Sequence, residues 1–158
     1  MKLIENEKAY MRQAIALAQK AVANGDHPFG ALLVKDGEVV LTAVNSIYTD
    51  DDVTRHAELN LVSQASRQFT PEFLADCTLV TSTEPCAMCA GAIYWAGISR
   101  VVFGCSAATL GRQLGAIAGD EFLIPCAEIF ARGARPMTVI GPLLEEAGTA
   151  VHQQYWQS

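Results

Sequence analysis

The spacing of apolar and polar residues changes several times along the chain, and each change predicts a different element. Over residues 5–24 small apolar side chains recur at helical spacing, and Gly25 follows as a helix stop. Two short apolar runs come next, at residues 31–34 and 39–44. An Asp-Gly pair at residues 36–37 separates them and is a strong signal for a hairpin turn. The first part of the chain therefore predicts one helix and a β-hairpin.

The remainder of the chain alternates between strand and helix patterns. Strands are predicted over residues 77–81, 100–104 and 137–140, helices over 55–68, 85–96 and 142–155, and a connector over 71–74. Thr54 is the predicted N-cap of the helix over 55–68. Four glycines interrupt the stretch from 105 to 135, where short helical pieces are predicted only at 122–124 and 127–130. We expect an α/β fold, a three-layer α/β/α sandwich with a mixed sheet of about five strands, in a single domain over residues 1–158.

The composition is that of a globular, acidic protein. Hydrophobic residues make up 51% of the 158 residues and charged residues 18%, and the formal net charge is −6 at pH 7. Lys and Arg form no cluster, so the chain lacks the basic surface that binds nucleic acid phosphates. The N-terminus has no signal-peptide pattern, and the odd number of cysteines, five, disfavours a disulfide framework. We therefore expect a cytoplasmic protein with no membrane association.

Two short motifs carry the candidate chemistry. His56 and Glu58 open one predicted helix, and Cys86 and Cys89 lie one turn apart at the start of another, directly after Pro85. One imidazole and two thiolates neutralise Zn²⁺ and leave its fourth position open for water. Glu58 is too close to His56 in sequence to be a further ligand, so it is predicted to move protons between water and substrate. The motifs predict hydrolysis of an aromatic amidine with release of ammonia.

A non-catalytic scaffold held by structural zinc is the alternative interpretation of these residues. A structural site has four protein ligands. Cys77 or Cys105 would have to supply the fourth, although both lie in or just after predicted buried strands. These two thiols and Cys126 are expected to behave as small hydrophobic residues. His27 and His152 are expected at the surface.

Residues 56–58, 83–93 and 100–104 strongly resemble the cytidine deaminase-like superfamily. The resemblance runs from about the first helix to residue 104. It implies a five-stranded sheet flanked by helices and assembly into dimers or tetramers. It also implies that His56, Cys86 and Cys89 bind Zn²⁺ and that Glu58 is the catalytic residue.

Residues 28–31 and 92–96 are similar to the bacterial guanine deaminases within that superfamily. This resemblance implies a free aminated nucleobase as substrate, guanine in the first place, converted to xanthine and ammonia by a homodimer. Phe29 would stack on the base, Asn45 would hydrogen-bond the ring, and the main chain at Ala57 would contact it. The other implied substrate contacts are Glu84, Trp95 presented by a neighbouring subunit, Asp120 or Glu121 ahead of Phe122, and a C-terminal aromatic residue, Tyr155 or Trp156.

The tRNA adenosine deaminases are a second branch that the chain resembles, through residues 84–92 and 100–104. Enzymes of that branch need basic surface to hold an anticodon arm. This chain has no Lys or Arg after Arg135, so nucleic acid ranks below a free base as the substrate. Cytosine, a pterin and an aminotriazine remain alternative substrates.

Overall fold

The computed structural model describes residues 2–114 and 122–157. Its five strands are β1 (Gly30–Lys35), β2 (Glu38–Val44), β3 (Thr78–Thr83), β4 (Arg100–Cys105) and β5 (Thr138–Ile140). They form one sheet in the order β2-β1-β3-β4-β5. β1 is antiparallel to both β2 and β3, whereas β3, β4 and β5 are parallel to one another. The mixed five-stranded sheet predicted from the sequence is confirmed.

Seven helices are present in the described residues. They are α1 (Lys2–Ala23), α2 (Ala57–Gln68), α3 (Pro71–Ala75), α4 (Ala87–Trp95), α5 (Ala107–Leu114), α6 (Cys126–Phe130) and α7 (Glu145–Trp156). None of the helices within residues 2–114 and 122–157 has both the length and the apolar character needed to cross a membrane.

The helices cover both faces of the sheet, because alternate residues of a strand point to opposite faces. Leu32 and Val102 pack on one face, in a hydrophobic cluster that α1 and α7 join. Leu33 and Val101 pack on the other face, in a cluster that α2, α4 and α6 join. The predicted three-layer α/β/α arrangement is therefore confirmed.

The hairpin between β1 and β2 has the turn that its sequence predicts. Asp36 and Gly37 have φ values of 51° and 81°. A two-residue type I′ turn needs positive φ at both positions, a backbone region that Asp tolerates and glycine adopts freely. The turn brings β2 alongside β1 at the edge of the sheet, and β1 pairs on its other side with β3.

The predicted start of α2 is wrong by two residues. The helix begins at Ala57, and its N-cap is His56, with extended φ and ψ of −69° and 153°. The Thr54 hydroxyl, predicted to cap this helix, instead donates a hydrogen bond to the Asp52 carboxylate at 2.7 Å. His56 consequently stands just outside the helix, where its side chain is free to face another element.

Two further local predictions are corrected and one is confirmed. The predicted connector after residue 70 contains the short helix α3, whose N-cap Thr70 accepts a hydrogen bond from the Phe73 N–H at 3.2 Å. Residues 122–124, predicted as a helical piece, lie outside any helix. The second predicted piece, at 127–130, is confirmed as part of α6.

The parallel strands β3 and β4 end side by side. Thr83 is paired with Cys105 at their carboxyl ends. After β3 the chain enters α4 through Glu84 and Pro85. Crevices outside the carboxyl ends of parallel strands are the usual ligand sites of such sheets. The metal motifs lie at this edge.

Candidate active site

Two helix N-termini meet at this edge, and each presents a metal-binding side chain from its N-cap position. His56 is the N-cap of α2, and Cys86 is the N-cap of α4. An N-cap side chain usually accepts a hydrogen bond from the first turn of its own helix, but neither of these two does so. Their side chains face each other instead, with 3.6 Å between the Cys86 Sγ and His56 Nδ1 atoms.

Cys89 completes the cluster from the first turn of α4. The ligand atoms of His56, Cys86 and Cys89 all lie within 4.8 Å of one another. Among the described residues no other His, Cys, Asp or Glu joins this group. One nitrogen and two sulfurs are the donors that zinc prefers, and a site with three protein ligands keeps a coordination position open. The donor set thus fits a zinc ion, and the alternative with four protein ligands finds no support in the described residues.

The two thiols differ in how readily they lose a proton. Hydrogen bonding by the Cys89 thiol and by His56 lowers the pKa of the Cys86 thiol to about 4. The hydrogen bond to Cys86, together with burial, raises the pKa of Cys89. The protein alone therefore stabilises one thiolate at the site. A divalent cation supplies the charge that holds both thiols deprotonated.

Glu58 lies beside this cluster, in the first turn of α2. Its side chain is 4% exposed, yet it lines the cavity at the site. Burial, followed by the negative charge of Cys86, raises the pKa of the Glu58 carboxyl to about 7. A carboxyl group that titrates near neutral pH can both accept and donate a proton.

The cluster opens into a cavity of about 460 Å³, within the size range of small-molecule sites. Its lining is mainly apolar and aromatic, with a few polar side chains. The described lining residues are His27, Phe29, Asn45, Val53, Thr54, His56, Glu58, Thr83, Glu84, Cys86, Met88, Ala107, Leu110, Phe122, Leu123 and Trp156. This lining set contains no Lys and no Arg, so nothing in it offers a cation to a phosphate group.

Asn45 and Phe29, two of the predicted substrate contacts, do line the cavity. The Asn45 side-chain oxygen accepts hydrogen bonds from the backbone N–H groups of His27, at 3.4 Å, and Ile47, at 3.2 Å. These contacts orient the amide and leave its NH₂ group without a partner among the described residues. Asn45 is 2% exposed, so the NH₂ group is a preoriented donor.

Glu84 also lines the cavity, but its carboxylate is already engaged. One oxygen accepts a hydrogen bond from the Ala107 N–H and the other from the Cys126 N–H, both at 2.8 Å. Glu84 thereby ties the start of α5 and the start of α6 to the metal motif. Contact between Glu84 and a substrate stays a prediction.

Two other predicted contacts, Ala57 and Trp95, are not among the described residues that line the cavity. Ala57 is fully buried between His56 and Glu58, and its main-chain contact with the base stays a prediction. Trp95 is 86% exposed at the end of α4, so only another molecule could bring it to a site. Asp120 and its alternative Glu121 lie outside the described residues.

Of the two C-terminal aromatic residues predicted as a substrate contact, Tyr155 and its alternative Trp156, the second lies at the cavity. Trp156 lines the cavity. The Tyr155 ring packs beside it, with centroids 4.6 Å apart, and lies 5.7 Å from the His27 ring. Helix α7 therefore contributes an aromatic wall, and contact between either ring and a substrate stays a prediction.

Sequence reasoning missed Thr83 and His152. His152, expected at the surface, is 1% exposed, and its ring lies 5.1 Å from the Phe29 ring. Thr83 is 2% exposed and lines the cavity. The one available signal is that His152 and Trp156 stand four residues apart, on one face of the predicted C-terminal helix.

Comparison with known proteins agrees with this geometry. Residues 4–105 match the family described as "Cytidine and deoxycytidylate deaminase zinc-binding region". The chain is 38% identical over 156 residues to the probable cytosine deaminase of Schizosaccharomyces pombe, a match that covers 98% of this chain and 94% of that protein. It is 42% identical over 99 residues to the guanine deaminase of Bacillus subtilis, covering 62% of this chain and 64% of that protein. Relatives also include tRNA-specific adenosine deaminases.

Solved structures of deaminases share the fold. The structure of the guanine deaminase from Nitrosomonas europaea superposes with a TM-score of 0.81 at 28% identity, over 96% of this chain and 85% of that one. The family match spans both metal motifs, and the three ligand side chains converge as a zinc site of this family requires. The chain therefore belongs to the cytidine and deoxycytidylate deaminase family of zinc-dependent hydrolytic enzymes.

Proposed function

We propose that the protein deaminates a free aminated nucleobase, with guanine as the first candidate: guanine and water give xanthine and ammonia. The observation that carries this proposal is the cavity above the metal cluster. It combines an acid–base carboxyl group, a preoriented amide and aromatic walls, and its described lining has no Lys or Arg. Such a cavity suits a small neutral ring better than a phosphorylated nucleotide or RNA.

Glu58 is the acid–base group in this proposal. A zinc ion held by His56, Cys86 and Cys89 supplies the Lewis acidity that makes water a nucleophile at neutral pH. Glu58 takes a proton from the attacking water and passes it to a ring nitrogen of the base. It then takes the remaining proton of the added hydroxyl group and delivers it to the departing amine, which leaves as ammonia. Because the carboxyl group is buried, bulk water does not compete for these protons.

The base is held by the groups around this carboxyl. Phe29 and Trp156 offer rings against which an aromatic heterocycle packs. The free NH₂ group of Asn45 donates to a carbonyl oxygen or an unprotonated ring nitrogen of the base. Both contacts are expected to fix the base with its amino-bearing carbon towards the metal cluster.

Cytosine is the second candidate, because a probable cytosine deaminase is similar to the chain over nearly its whole length. Guanine ranks first because one guanine deaminase is similar to the chain in sequence and another in structure. The cavity, at about 460 Å³, is also large enough for a two-ring base. A tRNA substrate ranks below both, since the chain carries a net charge of −6 and RNA binding depends on basic surface.

A substrate panel tests the choice of base. Ammonia release is measured for the zinc-loaded protein with guanine, cytosine, adenine, a pterin, an aminotriazine, guanosine and an anticodon stem-loop RNA. We expect guanine to give the highest kcat/KM and the RNA to be inactive, because the described lining of the cavity has no Lys or Arg to hold a phosphate group. Activity on the stem-loop with inert free bases would contradict the proposal, and a preference for cytosine would move it to the second candidate.

The homodimer is a further part of this proposal. Trp95 exposes 86% of its surface at the end of α4, the helix that begins with the metal ligands. A large exposed aromatic side chain of this kind is typical of interface anchors. We expect sedimentation equilibrium to give twice the chain mass of 16.9 kDa. Trp95→Ser should raise the dissociation constant at least roughly tenfold.

Val53→Ser is the matched control for this experiment, since Val53 is 84% exposed and apolar but lies on a different segment. It should leave the dissociation constant unchanged. A monomeric wild-type protein, or equal effects of the two substitutions, would rule out Trp95 as the interface anchor.

A further inference from the structure

We propose that Thr83 is a specificity-determining residue of this site: His152 and Trp156 orient its hydroxyl so that it donates a hydrogen bond to an acceptor atom of the bound base. The proposal deepens the proposed function, because it takes a free base to be the occupant of the cavity. It assigns a role to three side chains that the metal chemistry does not use.

The three side chains form one connected chain of hydrogen bonds. The Trp156 Nε1 atom lies 3.1 Å from His152 Nδ1, and His152 Nε2 lies 2.7 Å from Thr83 Oγ1. His152 and Trp156 come from α7, whereas Thr83 is the last residue of β3. These hydrogen bonds therefore link the C-terminal helix to the strand that leads into the metal motif.

The donor and acceptor groups of the three side chains determine the direction of each hydrogen bond. The indole N–H of Trp156 can only donate, so His152 Nδ1 must accept with its lone pair. Burial lowers the pKa of His152 to about 4, so the ring is neutral at pH 7 and carries its one proton on Nε2. The Nε2–H group of His152 then donates to the Thr83 oxygen.

The hydrogen of the Thr83 hydroxyl takes no part in the hydrogen bond with His152. Its oxygen already accepts from His152, and no acceptor for its hydrogen is present among the described residues. Thr83 is 2% exposed and lines the cavity, so a ligand in the cavity is the group that can accept this hydrogen. A buried donor without a partner is unfavourable.

This orientation makes Thr83 a second fixed donor beside the NH₂ group of Asn45. A base is favoured if the edge that faces Thr83 carries a carbonyl oxygen or an unprotonated ring nitrogen. A base with an N–H or C–H group at that place leaves the hydroxyl unpaired. Sites built around such a hydrogen bond reject analogues that lack the matching atom.

Three variants test the proposal. Thr83→Val keeps the shape of the side chain and removes the hydroxyl, Thr83→Ser keeps the hydroxyl, and His152→Gln removes the group that orients it. Thr149→Val is the matched control, because Thr149 is a buried threonine of α7 whose hydroxyl bonds the Cys105 sulfur at 3.5 Å, away from the cavity.

The readout is discrimination between the preferred base and a series of analogues in which one ring nitrogen after another is replaced by C–H. We expect the wild-type protein to lose roughly ten- to a hundredfold in kcat/KM for the analogue that lacks the acceptor facing Thr83. Thr83→Val should lose a similar factor with the preferred base and nothing further with that analogue. Thr83→Ser and Thr149→Val should discriminate as the wild type does, and His152→Gln should discriminate less.

Two measurements separate this inference from the proposed function. Calorimetric binding of the same analogues to the zinc-loaded Glu58→Gln protein reports discrimination without turnover. Nitrogen NMR of ¹⁵N-histidine-labelled protein reports the His152 tautomer, assigned by the loss of its signals in His152→Gln. Bases that bind with Thr83-dependent discrimination but are not deaminated would contradict the proposed function and would still support the role of Thr83.

Other outcomes overturn the inference itself. A proton on His152 Nδ1 would reverse the hydrogen-bond chain. Equal losses for every analogue in Thr83→Val, or unchanged discrimination, would show that Thr83 acts only in packing. Failure of every base to bind would overturn both proposals.

Discussion

Replacing the buried carboxyl group with an amide, Glu58→Gln, is expected to lower kcat by about 10²- to 10⁴-fold. Glutamine has nearly the same shape but can neither accept nor return the protons that the reaction moves. The zinc content should stay at one equivalent per chain, because Glu58 is not part of the three-residue ligand cluster. Steady-state kinetics and elemental analysis of the same preparation measure both quantities.

The thermal midpoint of Glu58→Gln should not fall. Glu58 is 4% exposed, and burial of its charged form is unfavourable, so a neutral amide of the same size fits the site at least as well. Glu128→Gln, at an exposed position of α6, is the matched control and should retain full activity. Undiminished turnover in Glu58→Gln would exclude Glu58 as the proton carrier.

Removal of zinc should abolish activity and destabilise the fold. The three ligands come from the starts of two helices and hold them together, so binding stabilises only the folded chain. At a thousandfold excess of free metal over its Kd, this linkage is worth about 4 kcal/mol. For a domain of this size, that loss corresponds to a decrease in Tm of roughly 10 °C. Calorimetry before and after chelation, with reconstitution by one equivalent of zinc, measures it.

Cysteine substitutions provide the matched pair for this experiment. Cys89→Ser should lose both zinc and activity, because a buried hydroxyl does not replace a thiolate ligand. Cys77→Ser changes an equally buried thiol, whose Sγ donates to the Phe73 carbonyl at 3.3 Å, a contact that a serine hydroxyl can reproduce. It should keep both properties. Full activity in metal-free protein, or zinc retained by Cys89→Ser, would contradict the assignment of the metal centre.

The ligand residues could be predicted because their placement is a local matter. Cys86 and Cys89 are three apart on one helix, and such spacing puts both sulfurs on the same face whatever the rest of the chain does. The hairpin is similar, since the Asp-Gly pair at residues 36–37 specifies its own turn. Short-range geometry of this kind is determined by residues that lie close together in the sequence.

The start of α2 could not be predicted in this way. Thr54 is a good N-cap by its residue type, but its hydroxyl bonds Asp52 instead. The Arg55 carbonyl accepts a hydrogen bond from the Ser46 N–H at 3.0 Å, which holds residue 55 outside the helix. A contact to the end of the preceding strand therefore overrides the local capping preference.

The start of α5 shows the same limit more strongly. The N–H groups of Ser106 and Ala107 donate to the carboxylates of Glu145, at 3.0 Å, and Glu84, at 2.8 Å. These acceptors lie 39 and 23 residues away in the chain. No pattern within the segment indicates these two distant acceptors. The glycines of the segment therefore gave no indication of the helix.

The sequence by itself determined the alternation of strands and helices and, through two short motifs, the three zinc ligands and the carboxyl group beside them, because each motif is a pattern of near neighbours. Only the tertiary structure decided what surrounds them: that His152 is buried and that Trp156 and Thr83 line the cavity. These side chains meet across the sheet from distant parts of the chain. Their roles depend on which hydrogen bonds remain unsatisfied once the layers have packed, and no spacing rule specifies that outcome.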